Sequence, residues 1–71
     1  MEAYKIKLIN EYQELVKRSI KLEVMLDRWR DDELDFEPTC PVPLLESQLY
    51  VMKAYLSILE QRAEIEGIDL I

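Results

Sequence analysis

Gln48, Tyr55 and Arg62 follow one another at intervals of seven residues. On a helix that spacing sets an amide, a phenol and a guanidinium in one row. Two kinds of chemistry suit such a row. The three side chains can act as polar anchors that fix register at an interface, with Arg62 pairing Glu11 or Glu14 of a neighbouring helix. They can also recognise a nucleotide, since a guanidinium grips phosphate in fork geometry and a phenol ring stacks on a base.

Lys17, Arg18 and Lys21 form a second candidate group, the one basic cluster in the chain. Its simplest role is solvation, with Glu14 within helical reach of Lys17 and Arg18. Repeated about an oligomer axis and joined by Tyr4 or Tyr12, the same cluster makes an anion pocket. A site for a bound nucleotide is therefore expected among Arg62, Tyr55, Gln48, Lys17, Arg18 and Lys21, with Arg62 the leading residue because packing beside an apolar seam holds its fork in place.

Catalytic chemistry finds no comparable set. The chain has no histidine and one cysteine, Cys40, and it lacks a glycine-rich phosphate loop. No nucleophile stands beside an evident base. The sequence therefore predicts a binding protein, not an enzyme. One thiolate cannot build a zinc shell, and the acidic run Asp31, Asp32, Glu33, Asp35, Glu37 lacks the central glycine and ligand register of a calcium loop. No metal and no cofactor is expected.

The elements that must carry these residues are two helices. From about residue 2 to 30, Leu8, Tyr12, Leu15, Ser19, Leu22, Leu26 and Trp29 alternate steps of four and three, the pattern of a helix packed lengthwise on another. Residues 31–42, acidic and then rich in proline, read as the connection, since proline lacks the donor N–H and restrains the residue before it. Leu34 and Phe36 are expected to fold back over the open end of the hairpin. Pro41 or Pro43 suits the first turn of a second helix, about 43–66. Gly67, the only glycine, stands where a left-handed cap belongs, ahead of a short apolar tail over 67–71. The 71 residues thus read as one all-α domain, an antiparallel two-helix hairpin.

Helix 2 has more apolar surface than one partner can cover. Leu45, Leu49, Met52, Leu56, Leu59 and Ala63 suit helix 1. Leu44, Val51, Ile58 and Ile65 recur every seven residues on another face, and helix 1 has Ile20 and Val24 off its own seam. Either one broad arc wraps a thick neighbouring helix, or these residues are an interface between copies. So small a hairpin buries little core, and with one cysteine and no histidine the remaining means of supplementing it is assembly. The expectation is a homo-oligomeric helical bundle joined through Leu44, Val51, Ile58, Ile65, Ile20 and Val24, a dimer first and larger even-numbered rings second.

The formal charge of −6 is gathered in the middle and the end of the chain. Such a surface repels a nucleic-acid backbone, so DNA is not expected as a partner. No apolar run approaches the roughly 20 residues of a membrane span, and no export signal is visible at Met1. A reduced cytoplasm fits the lone cysteine.

Leu44-Leu45, Gln48-Leu49, Met52, Tyr55, Leu59-Glu60 and Arg62, preceded by Glu11, Glu14-Leu15, Arg18 and Lys21-Leu22-Glu23, resemble the small helical-hairpin proteins of tailed phages related to a crAss-like phage family. Broadly similar phage proteins are sponges that sequester the nucleotide messengers of CBASS and Thoeris immunity. The resemblance implies an anti-defence viral protein in the host bacterial cytoplasm, binding a cyclic dinucleotide, a cyclic trinucleotide or an ADP-ribose-type signal. It transfers no ligand residue, and the Thr39-Cys40-Pro41-Val42-Pro43 connection departs from the polar one expected of that group. The other reading is an inhibitor or adaptor that lays a helical face against a host defence protein.

Overall fold

In the computed structural model, which describes residues 2–70, the chain forms two helices, α1 (Ala3–Arg30) and α2 (Val42–Glu66), and no strand among the described residues. Met1 and Ile71, the last residue of the expected tail, lie outside them. At 1.5 Å per residue the helices are roughly 40 Å long, and the described residues measure 45 × 18 × 17 Å. The two run antiparallel: Glu23 pairs with Lys53, and Arg30, seven residues further along α1, pairs with Glu46, seven residues earlier on α2.

The seam follows the four-three stripes. Leu8, Ser19 and Leu26 from α1 and Leu49, Leu59 and Ala63 from α2 are buried, with Leu26 at 1% and Leu59 at 0% exposure. Ser19 is tolerated there because its hydroxyl donates to the Val16 carbonyl at 2.9 Å. Trp29, expected on the same stripe, is exposed instead. It stands in the last turn of α1, beside only the first turns of α2, and too little wall remains to cover an indole.

Both helices end in the same hydrogen-bonded motif. Ile68 N–H donates to Ala63 at 2.8 Å and Gly67 N–H to Glu64 at 3.4 Å, with Gly67 left-handed at φ 67°. At the end of α1, Glu33 N–H donates to Arg28 at 2.8 Å and Asp32 N–H to Trp29 at 3.1 Å, and Asp32 takes the left-handed position at φ 59°. An aspartate thus occupies a conformation that glycine adopts at less cost. Beyond it Leu34 is half-buried, whereas Phe36 is exposed on the bend at 35–36 and does not cover the hairpin end.

Helix α2 starts one residue earlier than its prolines suggest. Pro41 flanks it, its carbonyl accepting from Leu44 and Leu45 N–H at 3.0 and 3.2 Å, and Pro43 lies in the first turn. The tail docks on its own hairpin: Ile68 joins Leu8, Leu59 and Ala63 in one buried cluster, with Leu70, Ile9, Tyr12 and Leu15 packed around it.

Candidate functional site

Two grooves run along the sides of the hairpin, and their electrostatics differ. One is lined by Glu23, Asp27, Arg30, Glu46, Leu49, Tyr50 and Lys53. Its charges satisfy one another. Arg30 reaches Asp27 and Glu46, each at 3.0 Å, and Lys53 reaches Glu23. Glu46 accordingly raises the pKa of Arg30, chiefly through that hydrogen bond. This side pins the helices to each other.

The opposite groove has a volume of about 440 Å³ and is lined by Arg18, Lys21, Leu22, Met25, Leu45, Gln48 and Met52. Its position follows from helical geometry: residues 18, 21 and 25 fall on one flank of the α1 seam, and 45, 48 and 52 fall on the matching flank of α2. Leu22, Met25, Leu45 and Met52 make an apolar floor, and methionine adapts its shape to what lies on it. Arg18 meets only Glu14, at 4.0 Å, and Lys21 has no ion pair among the described residues. Positive charge over an apolar floor, with an amide opposite, suits a flat anionic ligand.

The two candidate groups read separately from the sequence therefore meet here in part. Arg18, Lys21 and Gln48 share the groove, and Lys17 does not line it. Tyr55 continues the Gln48 row towards the start of α1, where its hydroxyl donates to the Glu11 carboxylate across the seam. That hydrogen bond is the main cause of a raised Tyr55 pKa, which the nearby Arg62 partly offsets. The expected pairing of Arg62 with Glu11 or Glu14 is corrected. Arg62 approaches Glu66 of its own helix at 3.8 Å, because Tyr55 occupies Glu11 and Arg18 meets Glu14. The sequence reading missed Met25 as a floor residue; its place seven residues after Arg18, beside the seam, was the available signal.

The second apolar face is open in the single chain. Leu44, Val51, Ile58 and Ile65 are 58%, 68%, 52% and 85% exposed, and Ile20 and Val24 are exposed on α1. No broad arc wraps the neighbouring helix. Among the described residues no group of three His, Cys, Asp or Glu side chains is placed to hold a metal ion, and no helix is long and apolar enough to cross a membrane.

A family model described as Sequestin matches residues 2–65, which takes in α1, all of α2 but its last residue, and every residue of the groove. The chain belongs to the Sequestin family. The family's name suggests the sequestration of a molecule. No curated protein and no solved structure matches the chain.

Proposed function

We propose that this Sequestin is a phage anti-defence protein that works as a homo-oligomer in the host bacterial cytoplasm, binding and withholding a nucleotide immune messenger without chemically altering it. The observation that carries the reading is the asymmetry of the two grooves. One has its charges paired across the helices, and the other presents Arg18, Lys21 and Gln48 above Leu22, Met25, Leu45 and Met52. Phosphate suits the cations, and a base suits the apolar floor. The family match supports sequestration as the mode of action.

Calorimetric titration with cyclic dinucleotides, cyclic trinucleotides and cyclic ADP-ribose isomers tests it. Saturable heat with one class, with that ligand recovered unchanged after thermal denaturation, is the expected result. No heat with any of them rejects the reading. A stoichiometric protein retained from host lysate, in place of a nucleotide, would instead identify an inhibitor or adaptor working through the exposed face of α2.

A further inference from the structure

The groove is open along its length, whereas small-molecule sites commonly enclose 70–90% of their ligand. Something must cover it, and what borders it on α2 is the exposed apolar row Leu44, Val51, Ile58 and Ile65. The surroundings of that row point to its occupant. Glu46, Lys53, Glu60 and Glu64 fall on the other flank of α2, while Ser47, Gln48, Ala54, Tyr55 and Gln61 fringe the row with uncharged side chains, and charge enters that fringe at its C-terminal end, where Arg62 pairs with Glu66. A chain of charge −6 thus keeps acidic residues off one long face over most of its length. Two copies meet there without like-charge repulsion, and Ala54 at its middle lets the backbones come close.

The row also has a symmetry that a self-association requires. Two α2 helices laid antiparallel about a point between Ala54 and Tyr55 bring Val51 against Ile58 and Leu44 against Ile65, each contact made twice, as an isologous interface demands. In that register Arg62 comes level with Ser47 and Gln48 of the facing helix. A twofold axis perpendicular to both helices keeps the two cationic grooves on the same side of the dimer, and Arg62 lies on the groove side of the row, next to Tyr55.

We propose that α2 pairs antiparallel with α2 of a second copy, on a twofold axis between Ala54 and Tyr55, and that each copy's Arg62 completes the anion site formed by Arg18, Lys21 and Gln48 of the other. The site claim rests on the sequestration reading above; the interface claim does not. In the assembly Arg62 is drawn from the exposed Glu66, 3.8 Å away in the single chain, towards the bound anion. The ligand class is a nucleotide with phosphate charge for three cations and a base for the methionine floor. An isolated chain has the floor and two of the cations and lacks the cover.

Two experiments test this independently. In a Cys40→Ser background under mild oxidation, Ala54→Cys should crosslink to itself, Val51→Cys should not, and Val51→Cys mixed with Ile58→Cys should crosslink between chains, because a disulfide tolerates a Cα separation of only about 7 Å. Self-crosslinking of Val51→Cys means parallel pairing and overturns the interface, as does the absence of any crosslink.

The shared site is read by complementation, with cyclic di-AMP and cyclic ADP-ribose as probes. Arg18→Ala and Arg62→Ala should each weaken binding at least tenfold. Mixing and re-equilibrating the two variants should return roughly a quarter of all sites to full affinity, since each mixed dimer rebuilds one complete site. No recovery on mixing means Arg62 acts within its own chain and overturns the shared site. Absence of binding by the parent protein to either probe removes the site together with the reading it rests on, while the crosslinks still decide the interface.

Discussion

The Tyr55 hydroxyl donates to the Glu11 carboxylate, joining α2 to α1 at a point about a third of the way along α1 and nearly half-way along α2 from the tail end of the hairpin. It is the one hydrogen bond between the helices, among the described residues, in which neither partner is a cation. The bond exists only while the phenol keeps its proton, and this gives it a pH signature.

Because the folded pKa of Tyr55 is raised, first by the Glu11 hydrogen bond, then by desolvation and by the Glu11 charge, its contribution is fully present below the phenol's ordinary value of 10.0. It is lost as pH rises through the higher folded value. Tyr55→Phe should therefore be less stable than the parent at neutral pH, with the gap narrowing above pH 10. Urea denaturation at neutral pH and at high pH checks this, and a gap independent of pH would contradict it.

Asp32 stands left-handed at φ 59° with its N–H bonded to the Trp29 carbonyl. Asp32→Gly removes the steric cost of that conformation and should raise stability by about 0.5–1 kcal/mol, although glycine also loosens the unfolded chain. The same change at a right-handed position would be destabilising. Thermal unfolding by circular dichroism measures the difference.

Buried and exposed apolar positions on α2 should respond in different ways. Leu59, fully buried, should lose about 2–5 kcal/mol as Leu59→Ala, with the secondary structure melting early. Ile58→Glu or Val51→Glu alters side chains that are more than half exposed in the single chain. It should leave the helices and split the assembly, since an unpaired carboxylate is costly in an interface. Light scattering should then fall towards 8.5 kDa, whereas the parent protein should scatter as a multiple of it.

Arg62→Lys keeps the charge and loses the fork. It should weaken nucleotide binding about tenfold with the oligomer intact, because a bidentate grip on phosphate is reduced to a point charge. Dissociation of the oligomer by this change, with no separate effect on ligand, would mark Arg62 as an interface anchor and leave Arg18 and Lys21 as the phosphate-binding pair.

Most of the fold was legible because it follows from helical period and from backbone chemistry. The stripe from Leu45 to Ala63 gave the seam, Gly67 gave the end of α2, and the prolines gave the break. Trp29 and Phe36 were misread for a shared reason: apolar character predicts burial only where a wall exists, and the turn end of a two-helix hairpin offers little. The partner of Arg62 was unreadable because several glutamates lie within reach, and competition among Tyr55, Arg18 and Arg62 decides which one each takes. The meeting of Arg18 and Lys21 with Gln48 needed the lateral register of the helices, which no single helix encodes.

The docking of Ile68 on Leu8 has a consequence for the order in which the chain folds. Arg30 and Glu46 are 16 positions apart, whereas Leu8 and Ile68 are 60 apart. Closing the longer loop from the unfolded chain costs about 1 kcal/mol more in entropy. Helix pairing is thus expected to begin beside the proline turn and advance like a zipper, with the cluster of Leu8, Leu59, Ala63 and Ile68 closing last. By the same logic that end opens first in the native state, so its amides should exchange with solvent ahead of those beside Leu26 and Leu49. The turn end then nucleates the protein, and the tail sets how long it stays shut.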